Sequence, residues 1–536
     1  MATPSRFSFP VKAFRIARGL SACAALYLAT ALPIHAASVV DPTSLDGKVL
    51  FGYQAWFDCP GTWGGSWSHW GGGPPSASNV AVEMYPDLSE FPKTDLCVAP
   101  ALTVGGQPSY FFSARNPKIV DAHFRWMQEY GLDGVLIQRF VGDIPGLKRN
   151  NDVVLKNIIA ASAKYGRVIA IEYDVTGSSF TTWATDIQND WKYLNDQLHI
   201  TAQPNYLHHK GKPLVSVWGI GLNETRNPPT NAADALALVN WFHTGAAAAY
   251  QASFMGGLAK GFRTLNADAR TDPAWLTAYK AMDAVQPWNV GRYSAVSQIP
   301  TTFKTTAVAD EKWAADAGVL YMSTLFPGYS QSNAIRGQKK ANEIPRMGGN
   351  FIWQQAIAAK SAGAGAMKIA MFDEVNEATA MFKVVSKRSD APTQGYWLAL
   401  DGDGVTNLPT DWYLRLASEI TSLSHGTLAP TDAIPIKPGD PFSLAVRGGQ
   451  EASAGGLRWK ALPDGIRFRM EGFTGTMIVS DLAGKEIGAA KFDNGAATWD
   501  YRTRGGAAAP AGVYVARARS EAGTLSASAV FTTAPQ

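Results

Sequence analysis

The sequence has little cysteine, histidine and charge for its length. Among 536 residues there are 3 cysteines and 8 histidines, and 17% of the residues are charged. No Gly-x-Ser-x-Gly elbow occurs, so an esterase triad is not supported, and the histidines lack the His-Glu-x-x-His spacing of a zinc site. The net charge of +4 is small and is not concentrated in a Lys/Arg-rich segment. We therefore expect no nucleic acid partner.

Apolar and aromatic residues, by contrast, are abundant. The chain is 46% hydrophobic, with 17 Trp and 18 Tyr, which argues against low-complexity disorder. Its length is too great for one ordinary domain and suits a large barrel with an accessory module. Trp63, Trp67 and Trp70 lie in a Gly-rich stretch without a helix or strand period. Such rings either stack on sugars or pack in the interior, and the sequence leaves both interpretations open.

The N-terminal segment is typical of a secretory signal peptide. A basic leader precedes residues 20–33, an uncharged apolar run that is too short to span a bilayer comfortably. Ala36 provides a small residue for cleavage. We predict a signal peptide over residues 1–36, export to the periplasm, cell surface or medium, and no membrane span after cleavage; an anchored helix is the alternative. The leader contains Arg6, Lys12, Arg15 and Arg18.

Three cysteines allow one disulfide in the exported chain. Cys23 lies in the predicted signal peptide, which leaves Cys59 and Cys97 in the mature protein. Two cysteines in an exported chain favour a disulfide, and two thiols alone make a poor zinc site. We therefore predict a Cys59–Cys97 bridge near the start of the main domain.

Between residues 37 and 427, short β-rich runs alternate with amphipathic helical stretches. This alternation predicts a parallel sheet with crossover helices. Eight strands predict an α/β fold of the (β/α)8 TIM-barrel type. A doubly wound open sheet is the alternative, but no Gly-rich phosphate loop follows the first strand. The predicted strands are residues 49–57, 134–140, 168–174, 214–218, 253–256, 285–290, 319–326 and 367–372, and the clearest helices are 119–130, 153–165, 232–242, 274–282 and 351–360.

A long segment, residues 58–118, separates the first two predicted strands. It is rich in Gly, Pro and Trp, and it contains both mature cysteines. In a barrel, a segment that follows a strand lies over the C-terminal face, where substrates bind. We refer to residues 58–118 as the insertion and predict that it forms one wall of a cleft.

The pattern changes after a Pro-rich linker at residues 428–442. Residues 443–536 contain short alternating strands separated by turns, which predicts a small antiparallel β-sandwich. Its motifs are Ile478-Val479-Ser480-Asp481, Trp499-Asp500 and Ala511-Gly512-Val513-Tyr514-Val515. In these it resembles the Ig-like tails of bacterial secreted proteins and the sandwich of the flagellar hook-capping protein. Glycan binding, anchoring and capping of the barrel stay open as its role.

The densest acidic cluster follows the last predicted barrel strand directly. It contains Asp373, Glu374 and Glu377. Residues just past a barrel strand point into the active face. Glycoside cleavage needs two carboxyl groups, one to donate a proton and one to act as base or nucleophile. Repulsion and burial would raise the pKa of one of them. The alternative is an acidic helix N-terminus favoured by the helix dipole.

Polar side chains also end three other predicted strands. Glu172 and Asp174 share one side of the third strand, as catalytic groups or as a polar layer in the barrel mouth. At the end of the second strand, Gln138 and Arg139 are predicted to bind hydroxyls or to pair with these acids. The sixth strand ends in the same way with Asn289, Arg292 and Tyr293.

Four stretches, taken together, carry a family resemblance. They are Gly52-Tyr53-Gln54-Ala55-Trp56-Phe57 with Trp67-Ser68-His69-Trp70; Leu132-Asp133-Gly134-Val135 with Gln138-Arg139-Phe140; Leu325-Phe326-Pro327-Gly328-Tyr329; and Phe372-Asp373-Glu374-Val375-Asn376-Glu377-Ala378-Thr379 with Asp411-Trp412-Tyr413-Leu414. In this order, residues 47–424 resemble the bacterial glycoside hydrolase 71/99-like proteins, which are related to endo-α-mannosidases.

The resemblance implies an unusual reaction. Glu374 and Glu377 fall on the two glutamates of the family's Glu-Trp-His-Glu-Gly loop. Glu374 would act as base on the sugar 2-hydroxyl and form a 1,2-anhydro intermediate. Glu377 would protonate the leaving group and later activate water, so that the anomeric configuration is retained. Neither a metal nor an organic cofactor is implied.

The loop departs from the family at three positions. Val375 and Asn376 replace Trp and His, and Ala378 replaces Gly. Because the family's residues there contact the sugar, mannan-like and glucan-like substrates both stay open, as do the linkage and endo or exo action. We predict a monomer that binds a polysaccharide or oligosaccharide. The predicted substrate-binding residues are Tyr53, Gln54, Trp56, Trp67, His69, Trp70, Gln138, Arg139, Glu172, Asp174, Trp218, Asn289, Arg292, Tyr329, Asp373 and Asn376.

Two other functional classes compete with a hydrolase. One is a non-catalytic carbohydrate-binding or surface protein on a glycosidase-like barrel, although binding alone does not need two crowded carboxylates. The other is a calcium-dependent lyase or hydrolase with Asp373, Glu374 and Glu377 as oxygen ligands.

Overall fold

The structure is a computed structural model, and it describes most of the chain after the predicted signal peptide. The described residues are 39–226, 228–440, 442, 452–454, 457–462, 465–470, 472–481, 485–509, 512–521 and 525–533. The predicted signal peptide, with Cys23, lies outside the described residues. Among the helices that are described, none is long and apolar enough to cross a lipid bilayer.

Eight parallel strands form a closed barrel. Each strand pairs with the next along the chain, and the eighth pairs with the first. The predicted (β/α)8 fold is therefore confirmed, and two strands begin and end at the predicted residues. The strands are β1 Val49–Tyr53, β2 Gly134–Phe140, β3 Val168–Asp174, β4 Lys212–Ile220, β5 Ser253–Leu258, β6 Ala284–Pro287, β7 Leu320–Leu325 and β8 Ala366–Ile369.

Eight α-helices accompany the barrel strands in the described part of the chain. Their amphipathic faces pack on the sheet, and several end where glycine permits a left-handed turn. Gly166 and Gly318, with φ of 61° and 70°, end α2 and α6 in this conformation. Residues with a Cβ adopt it only at a cost in free energy. The helices are α1 Pro117–Glu129, α2 Ile144–Tyr165, α3 Trp183–Leu198, α4 Ala232–Asn240, α5 Ala274–Lys280, α6 Lys304–Ala317, α7 Asn350–Ala362 and α8 Trp412–Ser424.

The insertion packs against the loop that follows β8. It contains a hairpin of strands Cys97–Val104 and Gln107–Phe111, and the predicted disulfide between Cys59 and Cys97 is present. The backbone N–H groups of Glu83 and Met84 both donate to the carbonyl of Val375, at 2.9 and 3.1 Å. The insertion therefore supports the chain between the two candidate catalytic glutamates.

The C-terminal region forms two four-stranded antiparallel sheets, as its alternating pattern predicted. Apolar side chains from both sheets, including Ile466, Phe468, Met477, Val479 and Trp499, form one buried cluster. One sheet has the order Ala452–Ala454, Leu457–Leu462, Gly465–Arg469, Ala496–Trp499, and the other has the order Glu486–Lys491, Gly475–Asp481, Gly512–Ser520, Leu525–Thr533.

The disulfide provides a test of how far the insertion contributes to stability. It closes a loop between cysteines 38 residues apart. Replacing both cysteines, Cys59→Ser with Cys97→Ser, should lower the free energy of unfolding by up to about 4 kcal/mol, because the unfolded chain regains the entropy of the open loop. Urea denaturation measures the change. Reductant should destabilise the parent protein and leave the double variant unaffected; identical midpoints for the two proteins would contradict the prediction.

Candidate active site

The loop after β8, residues 370–380, brings the acidic cluster to the C-terminal mouth of the barrel. We call it the β8 loop. The carboxylate of Asp373 is buried and accepts hydrogen bonds from the backbone N–H groups of Gln54 and Ala55, at 2.9 and 2.7 Å. Both oxygens of Asp373 thus connect the β8 loop to the end of β1. Asp373 therefore positions the loop, and its predicted contact with substrate stays a prediction.

Glu374 and Glu377 lie in this loop with different hydrogen-bond partners. Glu374 is only 7% exposed, and its carboxylate accepts from Thr379 Oγ1 at 3.1 Å and from Gln54 Nε2 at 3.4 Å. Glu377 is half-buried, and its Oε1 accepts from Gln331 Nε2 at 2.8 Å. All three of these hydrogen bonds come from N–H or O–H donors, and such donors favour the ionised form of a carboxyl group.

Burial opposes ionisation at both glutamates. It raises the pKa of Glu374 well above its usual range, and the neighbouring charges of Glu377 and Asp373 raise it further. Burial also raises the pKa of Glu377, to about 7, against the lowering effect of the Lys339 ammonium. Two crowded carboxyl groups of this kind retain one proton between them near neutral pH. The pair can thus present one acid and one base at the same time.

The backbone of the β8 loop reverses tightly between and after the glutamates. The N–H groups of Thr379 and Ala380 both donate to the Glu374 carbonyl. Ala378 has φ of 53°, in the left-handed region that favours glycine. Its replacement of the family's Gly therefore keeps the turn at a cost of about 1 kcal/mol. Val375, which replaces the family's Trp, is fully buried.

The second acidic group, at the end of β3, is not equivalent to the first. Glu172 is fully buried, and both its oxygens contact Lys368 Nζ, at 2.5 and 2.7 Å. Lys368, also fully buried, neutralises Glu172 within the barrel, and a role of Glu172 in substrate binding stays a prediction. Asp174 accepts from the Thr176 N–H, and burial raises its pKa to about 6.

An open cavity of about 150 Å³ lies beside the ends of β1 and β2. Predicted residues Gln54, Trp56, His69 and Gln138 line it together, with Phe140. The Trp56 ring lies between His69 and Phe140, at centroid distances of 4.0 and 5.3 Å and nearly parallel to both. Because both faces of Trp56 are covered, its edge rather than its face is available to a ligand.

Several buried polar atoms near the mouth have no hydrogen-bond partner in the described part of the chain. They can each donate to or accept from a hydroxyl group, as sugar recognition requires. They are Gln54 Oε1, Trp56 Nε1, Gln138 Oε1, Trp218 Nε1 and Asn376 Oδ1.

Sequence reasoning missed Trp288, which follows β6. Its ring contacts Trp218 edge to face at 5.3 Å, and Lys368 Nζ lies 5.2 Å from its centroid. The signal was available, since Trp288 immediately precedes Asn289 at a strand end that had been singled out.

Two other residues predicted to bind substrate lie in the interior. Tyr53 and Trp70 are fully buried: Tyr53 OH lies 2.8 Å from His123 Nδ1, and Trp70 Nε1 donates to the Phe112 carbonyl. Both rings belong to the core.

The polar side chains predicted to bind substrate at the ends of β2 and β6 have protein partners, and Arg139 also lines the cavity; their contact with substrate stays a prediction. Arg139 pairs with Asp190 of α3 rather than with Glu172 or Asp174, at 2.6 Å. Asn289 donates to the Thr324 carbonyl, and Arg292 pairs with Asp268 at 2.8 Å. Each of these groups already has a protein partner.

Two predicted residues keep half-buried positions. Trp67 directs its ring edge-to-face against Phe111, 6.2 Å away, and Tyr329 lies in the loop after β7.

The described residues hold no cluster of three or more His, Cys, Asp or Glu side chains arranged for a metal ion. For the calcium hypothesis the geometry of Asp373 is unfavourable, because backbone N–H groups occupy both of its oxygens.

Structural comparison finds the same barrel fold in a known enzyme. The glycoside hydrolase family 99 endo-α-mannosidase from Bacteroides thetaiotaomicron aligns with 72% of this chain and 99% of its own, at 18% identity and a TM-score of 0.52. Its complex with bis-tris-propane aligns over the same shares at 17% identity and a TM-score of 0.52. No protein-family model and no curated protein matches the sequence. The likeness establishes a shared fold. The known enzyme belongs to the family that the sequence motifs resemble.

The raised pKa of Glu377 predicts a pH-dependent stability. Relative to the unfolded chain, a carboxyl group with a raised pKa favours folding below about pH 4.5, and this contribution is lost as the pH rises through about 7. Glu377→Gln removes the titration. It should therefore stabilise the protein by about 1–3 kcal/mol at pH 8 relative to its effect at pH 5.

Urea denaturation at the two pH values measures this difference. Glu129→Gln, the same chemical change on the exposed surface of α1, is the matched control. An equal effect of Glu377→Gln at pH 5 and pH 8 would contradict the raised pKa.

Proposed function

We propose that the chain is a glycoside hydrolase that cleaves α-linked glycans with Glu374 and Glu377. The observation that carries the proposal is the pair of carboxyl groups in the β8 loop, buried Glu374 and half-buried Glu377, at the mouth where barrel enzymes bind substrates. Burial and mutual repulsion keep one proton on the pair, which supplies the acid and the base of glycoside cleavage. The fold shared with an endo-α-mannosidase adds support.

The reaction that the family resemblance implies requires the shared proton on Glu377. The hydrogen bonds favour this site, because both Glu374 oxygens accept a donor and only one Glu377 oxygen does, whereas the higher pKa of Glu374 favours the proton on Glu374 in the free protein. Glu374 removes the proton of the sugar 2-hydroxyl, O2 attacks C1, and the bond from C1 to the leaving oxygen breaks. Glu377 gives its proton to that oxygen. Glu377 then takes a proton from water as the water attacks C1, the anhydro ring opens, and O2 regains its proton from Glu374. Two inversions at C1 give retention.

We further propose that the cavity beside β1 and β2 binds the glycan next to the cleaved bond. Gln54 connects the two places, because its Nε2 contacts Glu374 while the residue also lines the cavity. The unpartnered polar atoms of Gln54, Trp56 and Gln138 suit hydroxyl groups. Mannan-like and glucan-like substrates both fit this chemistry.

Export is part of the proposal. The basic leader and apolar run of residues 1–36 predict secretion, and a disulfide between Cys59 and Cys97 suits an oxidising compartment. We propose that the mature protein acts as a monomer in the periplasm, at the cell surface or in the medium.

A non-catalytic carbohydrate-binding protein is the second candidate. The observation that favours it is the loss of the family's Trp and His between the glutamates, where Val375 is buried and Asn376 is half-buried. A binding protein needs the cavity but not the shared proton of Glu374 and Glu377.

Release of reducing ends from α-mannans and α-glucans distinguishes the two functions. Wild-type protein should release sugar, and Glu374→Gln and Glu377→Gln should each lower the rate by roughly a thousandfold or more, because each removes a proton-transfer group. Glu129→Gln, the same chemical change on the surface of α1, should leave the rate unchanged.

The contrary outcomes are equally specific. Sugar release that survives both active-site substitutions would overturn the assignment of Glu374 and Glu377. Glycan binding by calorimetry without any release by the wild-type protein would favour the binding protein.

A further inference from the structure

The loop after β7 supplies a chain of hydrogen bonds that ends on Glu377. Lys339 Nζ lies 3.4 Å from Tyr329 OH and 5.1 Å from the centre of its ring. Tyr329 OH donates to Gln331 Oε1 at 2.7 Å, and Gln331 Nε2 donates to Glu377 Oε1 at 2.8 Å. We call Lys339, Tyr329 and Gln331 the relay. Neither Gln331 nor Lys339 was singled out from the sequence.

The direction of these hydrogen bonds is fixed by chemistry. An ammonium group can only donate, so the Tyr329 oxygen accepts from Lys339 and its O–H points to Gln331. The Gln331 amide must then present its oxygen to Tyr329 and its N–H to Glu377. Flipping the amide would bring its oxygen against the Glu377 carboxylate, so the relay holds Gln331 in one orientation.

Backbone contacts hold the relay against the β8 loop. The N–H of Ser330 donates to the Glu377 carbonyl at 3.0 Å, and Tyr329 and Ile344 exchange two backbone hydrogen bonds at 2.9 Å. Glu83 of the insertion accepts from the Ser330 hydroxyl. The loop between β7 and α7 is therefore fixed on both sides of Gln331.

We propose that Tyr329, Gln331 and Lys339 are positioning residues that keep Glu377 Oε1 as an acceptor and leave Oε2 to carry and deliver the catalytic proton. The inference rests on the proposed function, because it assigns the acid role to Glu377. A carboxyl group that accepts an N–H at one oxygen holds its proton on the other. The relay thus selects which atom of Glu377 faces the leaving oxygen.

The relay also affects the acidity of Glu377. A donor on Oε1 and the nearby Lys339 charge both stabilise the carboxylate, so they lower a pKa that burial raises. Acidic groups on the surrounding elements are Glu374 and Asp373 in the β8 loop, and Glu343 and Glu83, whose charges act on Tyr329. The buried guanidinium of Arg346 also contacts the β8 loop, where it donates to the carbonyls of Ala378 and Ala380. Lys339 is the cation whose charge lowers the pKa of Glu377.

Gln331→Leu tests the relay through the pH dependence of catalysis. Loss of the donor should move the alkaline limb of the kcat profile, where Glu377 loses its proton, to higher pH by roughly one unit. It should lower kcat roughly tenfold or more and leave KM within about threefold, since it misplaces the proton and not the glycan. Tyr329→Phe added to Gln331→Leu should have no further effect, because Tyr329 acts through Gln331.

Lys339→Met has a matched control in the adjacent exposed lysine. Lys339→Met should move the same limb in the same direction by a smaller amount, and Lys340→Met should leave the profile unchanged. Equal shifts for the two lysines would assign the effect to overall surface charge and overturn the specific role of Lys339.

A readout independent of turnover separates this inference from the proposed function. In protein labelled with ¹³C at glutamate carboxyl groups, the signal that disappears in Glu377→Gln identifies Glu377. Its titration should move to higher pH in Gln331→Leu and not in Lys340→Met. If this shift occurs and no glycan is cleaved, the relay stands and the hydrolase proposal fails. If glycans are cleaved but neither the titration nor the kcat limb moves, the relay is overturned.

Discussion

The two hydrogen bonds from the backbone of Gln54 and Ala55 to Asp373 hold the candidate active site together. They join the loop after the last barrel strand, β8, to the end of the first strand, β1. These two strands pair to close the barrel, and the buried carboxylate adds a second connection between them at the mouth. Asp373 also adds negative charge next to Glu374. One side chain therefore fixes where the glutamates stand and contributes to the electrostatic field that keeps a proton on them.

Three separate elements converge on that loop. Two backbone N–H groups of the insertion donate to the carbonyl of Val375. The loop after β7 contacts Glu377 through Gln331 and Ser330. Gln54, directly after β1, donates to Glu374. These contacts stabilise a loop conformation that is locally unfavourable, because its carboxyl groups are crowded and Ala378 adopts a left-handed backbone conformation. The stability of the surrounding barrel offsets this cost.

The features that the sequence predicted best are those with a local signal. The strands of the barrel are short, largely apolar runs, and Glu374 and Glu377 follow the last of them. Arg139 shows what strand periodicity adds to such a prediction. Neighbouring residues on a strand face opposite sides, so the side chains of Gln138 and Arg139 diverge, and Arg139 pairs with Asp190 of a surrounding helix while it lines the same cavity as Gln138. Trp70 had no such signal, because its burial depends on aromatic partners far along the chain.

The relay of Lys339, Tyr329 and Gln331 lay beyond sequence reasoning for a different reason. These residues occupy an irregular loop without periodicity, and their alignment on Glu377 arises only when the β7 and β8 loops meet. No local sequence pattern indicates which residue a single glutamine in such a loop contacts.

The anomeric configuration of the first sugar released tests the central claim most directly. Proton NMR, recorded before mutarotation on an α-linked glycan that the wild-type protein cleaves, distinguishes the two anomers. Catalysis in two steps by Glu374 and Glu377 predicts that the α-anomer appears first. Initial release of the β-anomer would show a single displacement by water and contradict the account.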